Sequence, residues 1–520
     1  MIWPPRPILR KITRLPALLA VALLTWGHVG SPDVFFEGKA GPYPVRIVVR
    51  PPLVVPGRAE INVRTLAPGV SRVSVQPVVW NAGPEGAPPA DRAQPVRGDA
   101  RQWSAQLWLM RPTSYSVRVE VGGAAGTGTV LVPVVAVATR RLPMQRGMGL
   151  LLAGLGLFLL VGALTAIGAA VRESALPPGE EPDPGRRRRA RRVMAGTALL
   201  LGLALWGGRV WWRSVDRDFA RTIFRPFHLT ASTRAAGGER RLTVAIDEST
   251  GGSRDWVPLM PDHGKLMHLF LVRQPGLDAF AHLHPVPLGP DGTFETPLPP
   301  LPDGPYHLYA DVTHENGFSE TLTTTVELPA AETTTATPSG APDADPDDSF
   351  RLGAAAAASG GTADLGDGFT MTWDGPPGPR VAGAEAGLRF AVHGPGGTPA
   401  VIEPYMGMLS HAAVVRDDRG DPKGTVFIHL HPEGTVSMAA LQFFQSQQGG
   451  SGNGMAGMSM GAMHPGVPGL PGDGVLSFPW SFPRPGRYHL WVQVKTGGPV
   501  RTGVFAVEVA AGRNSNTENG

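Results

Sequence analysis

The sequence predicts a mainly β protein: three immunoglobulin-like β-sandwich modules joined by two transmembrane helices. Three observations carry this reading. Gly (68) and Pro (54) make up about a quarter of the 520 residues, a density of turn residues that disfavours long soluble helices and favours short strands. Short apolar–polar alternations recur between the turns. Only 17% of residues are charged, low for a chain wholly in water, and the apolar surplus lies in a few long runs.

Residues 1–31 read as a signal peptide or signal anchor. Arg6, Arg10, Lys11 and Arg14 precede an apolar run from Leu15 to Trp26, the basic and apolar regions of an export signal. Val29-Gly30-Ser31 offers small residues but no clean A-x-A, so a cleaved peptide and a retained anchor both stay open. Residues 32–146 are expected to form the first sandwich. Val45, Ile47 and Val49 alternate with Arg46, Val48 and Arg50, and similar runs are Glu60–Val63, Val73–Val79, Trp103–Met110 and Tyr115–Val121. This module holds no histidine.

Residues 147–171 carry no charge and are long enough to span a bilayer. A second span is expected at 193–212, where Arg209 can reach outward beside Trp206, Trp211 and Trp212. The loop between them, 172–192, holds Arg172, Arg186, Arg187, Arg188, Arg189, Arg191 and Arg192. Short basic loops stay in the cytoplasm. The expected localisation is therefore the cytoplasmic (inner) membrane, with both large segments on the periplasmic or extracellular side. Placed between spans, these arginines are a topology signal. With a formal net charge of only +4, the membrane is the expected partner and nucleic acid is not.

The remaining chain divides into a second sandwich at 213–330, a disordered linker at 331–350, a third sandwich at 351–512 and a disordered tail at 513–520. The second and third modules repeat each other. One reads HGKLMHLFLV, FAHLHP, DGTF and PDGPYHLYADV; the other reads YMGMLSHAAVV, FIHLHP, DGVLSF and RPGRYHLWVQV, in the same order. His268 thus corresponds to His411, His282 and His284 to His429 and His431, and His307 to His489. Thirteen of the fourteen histidines follow residue 225, and eight occupy these matched positions.

Strand periodicity turns the pattern into chemistry. Residues i and i+2 share a face, so His282 and His284 project together beside Phe280, and His429 and His431 beside Phe427. Two neutral imidazoles on one face can hold one metal ion. His268 and His307, with His411 and His489 in the repeat, are candidates to complete a set, and His263 lies five residues before His268. The competing reading is that these histidines stabilise strand ends. The third module adds an insertion at roughly 436–470: 23 positions separate His284 from His307, and 58 separate His431 from His489. It contains Met455, Met458, Met460, Met463 and His464, while Met406 and Met408 precede His411. Thioether sulfur favours Cu(I), so copper is the cofactor this set suggests. The alternative is a biased loop without ligands. The absence of cysteine excludes disulfides, thiolate zinc, iron–sulfur clusters and blue-copper centres.

The motifs FAHLHP and FIHLHP, each followed by G-x-Y-H-L, resemble those of bacterial membrane-anchored extracytoplasmic proteins. The first module, from GPYPVRIVV to GTVLVPVVAVAT, resembles YtkA-like domains, immunoglobulin-type sandwiches akin to CopC-like copper-resistance domains. The resemblance implies an envelope role tied to copper, although no N-terminal histidine ligand of the CopC kind is evident. Three functions are consistent with the sequence. One is a membrane-anchored protein that captures or buffers copper through His and Met ligands. Another is an envelope scaffold with structural histidines. The third is a mononuclear metalloenzyme, for which no catalytic acid–base pair stands out.

Overall fold

The computed structural model describes residues 33–330, apart from 175, 178, 237 and 238, and residues 344–512, apart from 355, 356, 385, 386, 418–425 and 449–472. The chain is mainly β, built from several antiparallel sheets, with three helices among the described residues.

The N-terminal part pairs two sheets. One has the order Val34–Ala40, Tyr43–Arg50, Gly57–Thr65, Asp99–Leu109 and Gln94–Val96; the other has Asp91–Arg92, Val70–Val79, Thr113–Gly123 and Gly126–Ala136. Alternation decides which side chains are inward. In Gly57–Thr65, Ala59, Ile61 and Val63 are buried while Arg58 and Glu60 face water. Ile47, Ile61 and Leu107 of one sheet share a core with Val73, Val117 and Val119 of the other.

Helices α1 (Arg146–Glu173) and α2 (Pro184–Thr222) are each long and apolar enough to cross a membrane. Their apolar side chains, such as Leu150, Phe158, Leu200 and Trp206, are exposed. Two expected boundaries shift. Arg186 to Arg192 lie within the first turns of α2 rather than in a loop, because Asp183 caps the helix, accepting from Arg186 N at 2.9 Å, and Pro184 opens it. The same helix runs on past Trp212 to Thr222 through a polar stretch. At the other end of the pair, Phe224 N donates to Ala138 O at 2.8 Å. The chain therefore leaves and rejoins the β structure at one place, beside a small cluster of Val137, Phe224 and Phe318.

The histidine-bearing part has two halves of the same plan, each a four-stranded sheet packed on a larger one. In the first half the larger sheet is ordered Leu259–Met260, Gly304–His314, His268–Arg273, Ala279–Leu283 and Ser349–Leu352, with Ser319–Leu328 beside Gly304–His314. Ser349–Leu352 falls across the expected boundary between linker and third module. It instead extends the first half's sheet, with Ser349 opposite His282. In the second half the order is Ala357–Ala358, Val500–Ala510, Gly486–Lys495, Ser410–Arg416 and Phe427–Leu430.

Each large sheet has two apolar faces. Leu269 and Leu271 face the core of their own half, while Phe270 and Val272 join Ala413, Val415, Phe427 and Trp491 in a separate cluster between the halves. Phe280 stacks on Trp491 with ring centroids 4.8 Å apart, and Tyr309 stacks on Phe427 at 4.3 Å. The two halves thus meet face to face through reciprocal contacts.

Candidate metal centre

The face that carries Phe270, Phe280, Phe427 and Trp491 also carries the histidines. His268 opens the strand His268–Arg273, which pairs with Ala279–Leu283 so that Phe270 lies opposite His282. His284 follows one residue beyond that strand. In the second half Ala413 lies opposite His429, which puts His411 and His431 at the matching positions. The result is two buried triads, His268–His282–His284 and His411–His429–His431. Within each, one ligand atom from every ring lies within 4.8 Å of the others. His263, raised on a turn with φ 54°, adds a seventh ring, its centroid 5.9, 5.3 and 5.0 Å from His268, His411 and His431.

Hydrogen bonds on the outer side of the rings fix where the lone pairs point. His268 Nε2 lies 3.2 Å from the carbonyl oxygen of Asp262, an acceptor only, so that nitrogen donates. His282 Nδ1 lies 2.9 Å from Gln493 Oε1, and the amide nitrogen of Gln493 donates to Ser349 Oγ. Both neutral rings have therefore spent their one proton outward. Their remaining nitrogens, His268 Nδ1 and His282 Nε2, face each other at 3.2 Å with two lone pairs. Such a contact is repulsive unless a cation lies between. Two nitrogens bound at about 2.0–2.1 Å to one tetrahedral ion stand about 3.3–3.4 Å apart. His411 Nδ1 and His429 Nε2 stand at the matching place, 3.1 Å apart.

Protonation does not supply that cation near neutral pH. Burial pushes His268 down to about 4, and burial with the neighbouring His263 pushes His431 down to about 3. Burial likewise holds His282, His284, His411 and His429 well below the usual imidazole range. Neutral imidazole is the form that binds metal. At least one buried ring nitrogen of each of His263, His284, His411 and His431 also lacks a hydrogen-bond partner. The donor set fits a metal ion in each triad.

Carboxylates stand behind the rings. His284 Nδ1 lies 2.9 Å from Asp348 Oδ1 and His429 Nδ1 lies 3.3 Å from Asp311 Oδ2, each leaving Nε2 to face the cluster. Burial raises both Asp311 and Asp348 to about 7. Asp345 and Asp348 with His284 form a third group of suitable spacing, but Lys265 pairs with Asp345 and lies 3.6 Å from Asp347.

Sequence reasoning placed His307 and His489 in the same sets, and the structure separates them. His307 lies opposite Val272 and His489 opposite Val415, whereas Asp311 and Gln493 lie opposite His268 and His411. Four steps along the strand, or about 13 Å, separate the two levels. The residues missed, Asp311 and Gln493, share the face of His307 and His489 at i+4, a signal present in the sequence. Met408 is buried in the N-terminal core with Val436, Met438, Leu441 and Phe444, so its thioether packs there rather than joining a triad. Met406 is buried on a turn with φ 48°. The insertion begins not as a loop but as helix α3 (Met438–Gln448), whose apolar side chains enter that same core. Met455, Met458, Met460, Met463 and His464 lie outside the described residues.

A family model, Domain of unknown function (DUF8832), matches residues 226–330 and 363–511, which contain both triads. No curated protein matches the chain. Among solved structures, an engineered protein shares 23% identity over 16% of this chain and 17% of its own, with a TM-score of 0.14. The tetra-tandem repeat in the extending region of a large adhesion protein shares 10% identity over 88% of this chain and 71% of its own, with a TM-score of 0.14. Dimeric latent PorU from Porphyromonas gingivalis shares 8% identity over 92% of this chain and 34% of its own, with a TM-score of 0.14. This chain therefore spans less than two thirds of the first and third of these. Scores this low carry no inference about fold or function.

Proposed function

We propose that the protein is a membrane-anchored metal-binding protein of the extracytoplasmic space that captures or buffers copper. The observation that carries this reading is the pair of facing lone pairs at His268 and His282, with the matching ring nitrogens of His411 and His429 equally close. Neutral imidazoles suit several divalent metals, and among them Cu(II) binds nitrogen donors most tightly. The methionines at 455, 458, 460 and 463 add soft donors in the same half of the chain. The membrane part follows from α1 and α2, whose exposed apolar surface needs lipid. Arg186 to Arg192 lie at the end of the helix pair remote from the β structure. By the bias of basic residues toward the cytoplasm, the triads then lie on the far side.

The test is copper titration of the full-length chain in detergent, with metal analysis after desalting. Stoichiometric copper that survives desalting is expected, and its loss is expected on replacing His282 and His429 together by Ala. A scaffold with structural histidines gives another result: no retained metal, and the same loss of stability from these substitutions with or without copper.

A further inference from the structure

We propose that the two triads form one binuclear metal centre opening on a single cavity. The proposal rests on the metal-binding reading above and extends it to nuclearity and to a small exogenous ligand.

No layer of protein separates the triads. Ring centroids of His268 and His429 are 5.4 Å apart, and those of His282 lie 5.6 Å from His429 and 6.1 Å from His411. These match the spacing inside a triad, 5.4 Å for His268–His282 and 5.3 Å for His411–His429. The reciprocal stacks of Phe280 on Trp491 and Phe427 on Tyr309 hold the two sheets in this register. Each triad is also oriented by the opposite half: Gln493 of the second half holds His282 of the first, and Asp311 of the first holds His429 of the second. An ion in one triad therefore bears on side chains that position the other.

Charge supports a pair of ions. Six neutral imidazoles contribute none, so two buried cations need anions nearby. The carboxyl groups of Asp262 and Asp311 are the ones placed for this, both lining the same cavity as His268, His429 and His431. That cavity, about 170 Å³, thus touches rings from both triads at its polar end. Its far wall comes from the N-terminal part, including Pro51, Leu53 and Val135. A small anion placed there reaches both ions at once, since three protein ligands leave each ion a free position.

The experiment loads the full-length chain in detergent with Cu(II) and combines metal analysis, electron paramagnetic resonance and azide titration. Two copper ions per chain are expected, with a spin count well below the copper count. His431→Gln should bind one copper and recover one full spin per copper. A second single-site variant, His284→Gln, guards against a local folding defect in the first. Azide should perturb the wild-type copper spectrum. One copper per wild-type chain, or two with fully independent spins, overturns the binuclear centre while leaving metal binding intact. An azide-insensitive spectrum overturns the open cavity. No copper at all removes the metal-binding reading itself.

Discussion

The two triads share a backbone plan and differ in what surrounds it. Behind His282 stands the neutral amide of Gln493; behind its counterpart His429 stands the carboxylate of Asp311. The chain after His284 is fastened within its own half, where Asp348 accepts from the His284 backbone at 2.8 Å. The chain after His431 is fastened by the N-terminal part. There Glu37 N donates to Glu433 O at 2.8 Å and Thr435 N to Phe35 O at 3.0 Å. Gly434, at φ 126°, permits this seam, since a Cβ there would stand 1.9 Å from the Phe35 carbonyl oxygen. The ligand geometry is thus doubled, but the flanking hydrogen bonds differ: those after His284 stay within its half, and those after His431 run to the N-terminal part. Repetition fixes where the imidazoles lie, and the residues behind them decide how each set behaves.

The largest expected effect tests how far the halves are equivalent in energy. Phe280 and Phe427 are fully buried and each stacks on an aromatic ring of the opposite half. Phe280→Ala and Phe427→Ala should each cost about 3–5 kcal/mol of unfolding free energy. Denaturant titration of both variants should give similar losses. A large loss in one alone would show that the contacts are matched in shape but not in energy.

A smaller effect separates the triads by their supports. Asp311→Asn turns the carboxylate behind His429 into an amide, the group the first triad already has at that place. Removing such a supporting carboxylate weakens a metal site by about 10–100-fold. Competition titration should resolve one weakened copper site and one unchanged site. An equal loss at both would mean that Asp311 serves the whole cluster as counter-charge rather than His429 alone.

Much of this was legible in the sequence, and the gaps have physical causes. The expected strand runs at Val45–Val49, Glu60–Val63 and Val73–Val79 lie within observed strands because alternation is local information. The pairing of H-x-H with an earlier histidine followed from period two and from the repeat. What period two cannot supply is the position along a strand at which a neighbour pairs. His307 and His489 share the correct face and still miss the cluster, because register places Asp311 and Gln493 at its level. The meeting of the halves was equally hidden. Phe270 and Phe280 read as ordinary strand residues until the second face of the sheet is seen to be covered. Met408 reads as a ligand because it precedes His411, yet it belongs to a core shared by Val436 to Phe444 and the N-terminal sheets, the latter hundreds of positions away.

The smallest expected effect concerns His489, which the repeat pointed to and the register removed. Burial pushes His489 down to about 4 from 6.5. As pH falls, the unfolded chain takes up this proton first. The stability His489 contributes is therefore complete above about pH 6.5 and is lost as pH drops toward 4. The shift corresponds to about 2 kcal/mol lost by pH 5. His489→Gln should flatten the pH dependence of unfolding of the metal-free protein between pH 6.5 and 5 by about that amount. It should leave copper stoichiometry at neutral pH unchanged. A ligand would behave in the opposite way, losing copper at pH 7, so a single variant measured both ways separates a buried histidine beside the seam from a member of the centre.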